Sequence, residues 1–500
     1  MGHTTGCGAA SRAARAVSLM AAAAAATTAL GGCGPARMPA GATPAPATSG
    51  PSSAAATARP AGTAAATARP AIGGARRRRA HGSGDATAAA GAAGAAGATG
   101  ATISIAKLSN LESEADLAAA PGGRVAAAWI AMKDTSGTTS RIAYAFSDDG
   151  GKTWTPPAAV DPTGDGTHGF LGYDPALAAD AHGAFHLAWL GALPGHHSGD
   201  DMGVWTATAA AGSTRFAAPV LLSARGTLDV DKPTITVTRR GSLLVAYDLG
   251  DADGNAEVAR TTDGVTWTRA RLEPARRRER WLFAVCGPRE GTDRVWVTYA
   301  DRDSIGLQWS DDDGVTWSRE EAAVARRASD GPVESWQSTT CVGEGRNVWV
   351  VYGLSDDGWS GDAFPRSHAL LVARSHDAGR SFPERHEVHD PAAGRLFMLP
   401  KIAREPGGAI DLVYYADGAG RSGGAEGAGS VRWSRSTDGG VTFGPSVALA
   451  EKIVFDARRS KRTWLGDYLG LGFADATLFT AFVDNAGGKG HVAFRRVGTP

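Results

Sequence analysis

Four cysteines in 500 residues exclude a disulfide-dense scaffold. Six methionines and 7% aromatics, beside 67 glycines, argue against a helical bundle and for a turn-rich β protein. Long apolar runs are also missing. The one candidate, Ala16 to Leu30, is too short and too alanine-rich for a membrane-spanning helix. Net charge is absent as well, with 51 basic and 51 acidic residues. That balance hides an asymmetry. Residues 1–102 carry nine arginines, no lysine and one acid, Asp85, which leaves 42 basic and 50 acidic residues in 103–500. An acidic body on a basic leader argues against nucleic-acid binding by the body.

Arg12 and Arg15 precede the run 16–30, which has the length of a signal-peptide apolar region. It ends in Leu30-Gly31-Gly32-Cys33, which resembles the lipobox of bacterial lipoproteins. The resemblance implies a signal peptide over 1–32, a lipidated Cys33 and an extracytoplasmic, membrane-anchored protein. Residues 33–102 are Ala, Pro, Thr, Gly and Ser with a short Thr-Ala-Arg-Pro repeat, and they read as a disordered tether. The run Arg76 to Arg79 reads as a solvated charge cluster. Two further thiols remain, Cys286 and Cys341, each five residues after a Trp. They are either bridged or both free.

Octapeptides of one kind recur in 103–500: Ser147 to Trp154, Ser310 to Trp317, Ser375 to Phe382 and Ser436 to Phe443, all S-x-D-x-G-x-[TS]-[WF]. A shorter version spans Thr261 to Trp267, and a decayed one lies near Ala209 to Phe216. The pattern resembles the Asp-box, or BNR repeat, of the sialidase superfamily. Its chemistry is structural: Asp accepts backbone N–H groups across a tight turn, and Gly takes a positive φ. Asp149, Asp263, Asp312, Asp377 and Asp438 therefore read as turn staples. The resemblance implies that each box joins the third and fourth strands of a propeller blade, away from the ligand face.

Apolar strands ending in an aromatic give an independent count: Val125–Trp129, Phe185–Trp189, Leu243–Tyr247, Val295–Tyr299, Val348–Tyr352, Ile410–Tyr414 and Leu478–Phe482. Their spacing suits four short strands plus turns. The last unit runs out before a fourth strand, and Ile103 to Leu108 has no partner, so this segment is expected to close the ring. The expected fold is all-β, a seven-bladed β-propeller over 103–500, with six blades as the alternative.

First strands line a propeller's channel, and the segments before the aromatic strands carry Asp174, Asp231, Trp281, Glu334, Trp336, Lys401, Asp467 and Tyr468. Carboxylates beside aromatics suit sugar binding and glycoside hydrolysis. Sialidases use a Tyr nucleophile with a Glu, a separate Asp and three arginines on the substrate carboxylate. The resemblance implies Tyr468 with Glu334, and Asp174 or Asp231 as acid. It further suggests Trp281, Trp336, Arg225, Arg280 and Lys401 as substrate contacts, with Asp467 in the same cluster. The sialidase Arg-Ile-Pro motif has only Ser140-Arg141-Ile142-Ala143 as a counterpart, without the aromatic or the Pro. No cofactor is implied. Acidic loops such as 248–253, and His196 and His197 with Asp200 and Asp201, are the nearest approach to calcium or other metal ligands, in no known spacing. Two functions follow: a surface-anchored, sialidase-like glycoside hydrolase, or a non-catalytic propeller that binds glycan or protein partners. A monomer is expected.

Overall fold

The computed structural model describes residues 102–105, 111–133, 140–160, 171–193, 202–223, 230–250, 255–273, 281–288, 291–301, 304–319, 321–326, 340–354, 368–390, 396–417, 429–455 and 462–497. The expected lipobox, and all of the expected tether except Thr102, lie outside them. Seven four-stranded antiparallel sheets follow one another, each built from consecutive strands except the last. The fold is the seven-bladed propeller expected from the repeats. In the seventh sheet Ile103–Ser104 pairs with His491–Val497, Ile103 opposite Phe494, so the N-terminal segment supplies the outermost strand and closes the ring. Among the described residues no helix is long and apolar enough to cross a membrane.

The second strand of each blade explains why the count was legible. Neighbouring blades cover both of its faces, so it is a continuous apolar run rather than an alternating one. Leu243–Asp248 and Val295–Ala300 are buried throughout. The closing aromatics Trp129, Trp189, Tyr247, Tyr299, Tyr352, Tyr414 and Phe482 are each at most 2% exposed.

The octapeptides turn between third and fourth strands. In the first, Asp149 accepts the N–H groups of Lys152 and Thr153, both at 2.9 Å, and the Thr153 hydroxyl at 2.6 Å, while Gly151 N–H donates to Ser147. These turns also tie blades together. Trp296 of blade 4 donates to Ala378 O in the blade 5 turn at 2.9 Å, and Trp349 of blade 5 to Gly439 O in the blade 6 turn at 2.8 Å. Trp154 packs edge-on against Phe494 of blade 7 at 4.8 Å.

The Thr153 hydroxyl and N–H hold the Asp149 carboxyl down at about 2. Its folded value lies below its unfolded one, so its contribution to stability is present above about pH 4 and lost as pH falls toward 2. Asp149→Asn is expected to lower the urea midpoint at pH 6 and to leave it nearly unchanged at pH 2. Equal deficits at both values would show that the carboxylate charge is not what the turn uses.

Candidate functional site

The seven inner strands are Leu111–Ala120, Gly172–Ala179, Asp231–Val237, Trp281–Cys286, Thr340–Glu344, Leu396–Arg404 and Gly470–Ala474. They surround a central cavity of about 180 Å³, to which all seven blades contribute. Leu117, Leu177, Ile235, Val285, Cys341, Ile402 and Leu471 line it, all buried. Each pairs with the second-strand residue two places before the blade's aromatic, so they form one sevenfold apolar ring.

Polar groups lie toward the strand starts, the end away from the octapeptide turns. A break in pairing register recurs there, between Ser113 and Asp116, Tyr173 and Ala176, Asp231 and Thr234, and Met398 and Lys401. Within these bulges Glu114, Asp174, Lys232 and Leu399 adopt φ between 46° and 50°. Left-handed backbone costs a non-glycine residue roughly 1–2 kcal/mol, and proline after three of the four narrows the choice further. The conformation turns the bulge side chain out of the strand's normal alternation. Asp174-Pro175, Lys232-Pro233 and Leu399-Pro400 are therefore a repeated sequence signal for this inner-strand feature.

Lys232 is the centre of the resulting cluster. Its ammonium lies 2.6 Å from Asp467 of blade 7, 3.4 Å from Asp174 of blade 2 and 3.9 Å from Asp231. Glu114, Asp174 and Asp467 bring carboxylate oxygens within 4.8 Å of one another. Glu114 also accepts the Asp174 N–H at 3.1 Å, and Asp116 accepts the Leu177 N–H at 2.8 Å, so blade 1 carboxyls bind blade 2 backbone. Asp116 further faces Lys401 of blade 6 at 3.7 Å.

More acids than cations share this space, and the protons follow. Burial, then the charges of Asp174 and Asp467, push Glu114 well above the usual carboxylate range. Burial also raises Asp116, against Lys401 and backbone N–H groups, and raises Asp231 to about 7 against Lys232. Lys232 stays protonated: burial opposes its charge, but Asp174, Asp231, Asp467 and Glu114 outweigh that effect. Burial and then Glu114, Asp174, Asp116 and Asp467 push the Tyr468 phenol up, and its hydroxyl has no hydrogen-bond partner among the described residues.

Asp467 and Tyr468 reach the cavity because two glycines bring their segment against blade 1. A Cβ on Gly466, at φ +92°, would lie 2.4 Å from the Glu114 side chain, and one on Gly470 would lie 2.5 Å from Leu117 N. Gly466→Ala combines a left-handed penalty with overpacking and is expected to cost about 2–4 kcal/mol in a urea melt. An unchanged midpoint would mean that the two blades do not approach so closely.

Of the sequence candidates, Asp467, Tyr468 and Lys401 line the cavity. Asp174 and Asp231 stand behind them in the Lys232 cluster. Trp281 opens the blade 4 inner strand, half-buried, and is not among the lining residues. Asp248 of the acidic loop accepts the Leu282 N–H at 2.9 Å. Glu334, Trp336, Arg225, Arg280, Cys33, His196, His197, Asp200 and Asp201 lie outside the described residues, as do residues 251–254. The two thiols left open form a Cys286–Cys341 disulfide between the inner strands of blades 4 and 5, Cα atoms 6.0 Å apart. Sequence reading missed Glu114 and Asp116, and passed over Lys232.

No family model matches the chain, and no curated protein matches it. Among solved structures it is similar to a protein of unknown function from Dyadobacter fermentans, at 18% identity over 80% of this chain and 98% of that one, TM-score 0.46. It is also similar to Trypanosoma rangeli sialidase in complex with the inhibitor DANA, at 14% identity over 77% of this chain and TM-score 0.43, and spans 55% of that protein. The endosialidase of phage phi92 aligns at 10% identity over 81% of this chain and 70% of its own, TM-score 0.47. None of these likenesses assigns a role to a residue of this chain.

Proposed function

We propose that the chain is a sialidase-like glycoside hydrolase, held outside the cytoplasm by lipid on Cys33, that cleaves glycans at the central cavity of the propeller. The observation that carries this reading is the cavity itself, with two carboxyl groups, a phenol and two ammonium groups over a ring of apolar side chains. Glycosidases need one carboxyl that holds a proton and one that does not. Asp116, raised by burial, takes the first role and donates to the leaving oxygen. Asp467, in an ion pair with Lys232, takes the second, as base or nucleophile. Tyr468 acts as a hydrogen-bond donor, because the negative charges around it oppose a phenolate.

The test is turnover of a panel of fluorogenic glycosides, headed by an α-sialoside, by the full chain. Asp116→Asn and Asp467→Asn are each expected to lower kcat/KM by about 10²–10⁴-fold. A folded protein that cleaves no member would overturn the hydrolase. One observation favours a second reading, a non-catalytic glycan-binding propeller: Glu114, Asp116, Asp231 and Asp467 all have partners within the molecule. Binding without turnover would select it.

A further inference from the structure

Blade 5 carries a second group of metal-ligating side chains, on its outer edge and not at the channel, and it is independent of the glycan reading. The third and fourth strands of this blade are Ala369–Ser375 and Glu384–Glu387, joined by the octapeptide turn. His376 is the second residue of that turn. Glu384 and His386 stand two residues apart on the fourth strand, so they share one of its faces. Nε2 of His376 lies 2.7 Å from one Glu384 oxygen, and Nε2 of His386 lies 3.6 Å from the other. The side chains of His376, Glu384 and His386 are 44%, 37% and 25% exposed, so an ion can reach them from solvent.

The hydrogen-bonding roles leave a gap between these groups. Nδ1 of His376 faces Asn347 Oδ1 at 2.9 Å. An amide oxygen can only accept, so Nδ1 carries the ring proton and Nε2 turns its lone pair toward Glu384, whose carboxylate also only accepts. Two acceptors 2.7 Å apart require something positive between them, either a second proton on the ring or a metal ion. His386 favours the metal. Its Nε2 is buried without a hydrogen-bond partner among the described residues, and 3.6 Å is too long for a hydrogen bond to Glu384. That distance is close to the roughly 3.3 Å between two ligands of one tetrahedral ion with bonds of 2.0–2.1 Å. Rotation of the exposed His376 and Glu384 side chains opens their contact to the same separation. Asn347 then acts as the outer partner that fixes the tautomer of a ligating imidazole. Arg374, paired with Glu384 across the strands, adds a positive charge, but its guanidinium is stacked over Trp349 at 5.4 Å. Two imidazoles with one carboxylate suit zinc, whereas calcium and magnesium prefer oxygen ligands throughout. From the facing acceptors, the unpartnered His386 nitrogen and the Asn347 support, we infer that His376, Glu384 and His386 form a site for a zinc-type divalent ion that staples the octapeptide turn of blade 5 to its outer strand.

The test is titration of the chelator-treated full chain at pH 7.5 with zinc chloride by calorimetry, and with cobalt(II) by visible absorption. The double variant His376→Gln/His386→Gln is expected to bind one equivalent of zinc fewer than the wild type, and to lack a tetrahedral cobalt band that the wild type shows. His386→Gln alone removes no protein hydrogen bond, so it keeps the fold, and it is expected to weaken that equivalent at least tenfold. Asn347→Ala is expected to weaken it by about 10–100-fold and Asn347→Asp to retain it, the signature of an outer partner. Calcium is expected not to compete. Equal zinc stoichiometry and affinity in the wild type and the double variant, or no zinc bound by the wild type, would overturn the site and leave a proton on His376 as the bridge to Glu384. Loss on His376→Gln with none on His386→Gln would overturn the three-ligand assignment.

Discussion

At pH 8, Lys232→Met is expected to lower the unfolding free energy by about 3–5 kcal/mol, the usual cost of removing one partner from a buried ionic cluster. Met keeps the length and most of the volume of the side chain, so the change is chiefly one of charge. Asp174, Asp231 and Asp467 would lose the ammonium that now lies within 4 Å of each of them. Because these acids come from blades 2, 3 and 7, the loss falls on the ring at the channel, not on one sheet. The pH dependence identifies the cause. A carboxyl whose folded value is raised adds stability below its unfolded value near 4, and loses it as pH rises through the folded value. Asp231 already sits at about 7, pushed up by burial and held back by Lys232, and removing Lys232 raises it further. The deficit should therefore be largest at pH 8 and shrink toward pH 5 as the acids take up protons. Urea melts of both proteins at the two pH values check this. A deficit of the same size at pH 5 would mean that Lys232 matters for packing and not as a counter-ion.

The architecture was legible because it is repeated and local. A second strand covered on both faces must be apolar along its whole length, and the octapeptide must keep its Asp, Gly and hydroxyl to close the turn, so both recur where they can be counted. The cavity obeys no such rule. Its apolar ring takes one residue from each blade, and a single Leu or Ile per fifty residues leaves no pattern. Glu114 and Asp116 lie in Leu111–Ala120, whose sequence LESEADLAAA lacks the alternation of a half-buried strand because a bulge shifts the register between Ser113 and Asp116. Two acids there read as solvent-exposed, yet they are 1% and 5% exposed. Lys232 stood in plain view between Asp231 and Pro233. Its meaning depends on Asp467, 235 residues away, and only ring closure brings the two together. The acids that sequence did single out were found because they flank the countable strands, so their nearness in the chain to a legible element, and not their chemistry, marked them.

The Cys286–Cys341 bond yields the second large effect. It joins the last residue of the blade 4 inner strand to the second residue of the blade 5 inner strand. The loop it closes, with a sequence separation of 55, contains the three outer strands of blade 4. Chain-entropy reasoning assigns a loop of this size about 4 kcal/mol, arising from the unfolded chain and not from native contacts. Cys286→Ala with Cys341→Ala is therefore expected to lose about that much stability, while keeping the propeller's β-sheet circular dichroism at low denaturant. Alanine is the better choice at Cys341, since serine would place a hydroxyl in the apolar ring. Both cysteines are buried, so a thiol reductant should leave the native protein oxidised for as long as it stays folded. Once the bond opens in denaturant, the reduced wild type should unfold at nearly the same urea concentration as the double alanine variant, both well below the oxidised protein. Coincident midpoints for the oxidised and reduced wild type would show that the bond does not form. A reduced wild type that stays near the oxidised midpoint while the variant falls would instead place the loss in the packing of the two side chains.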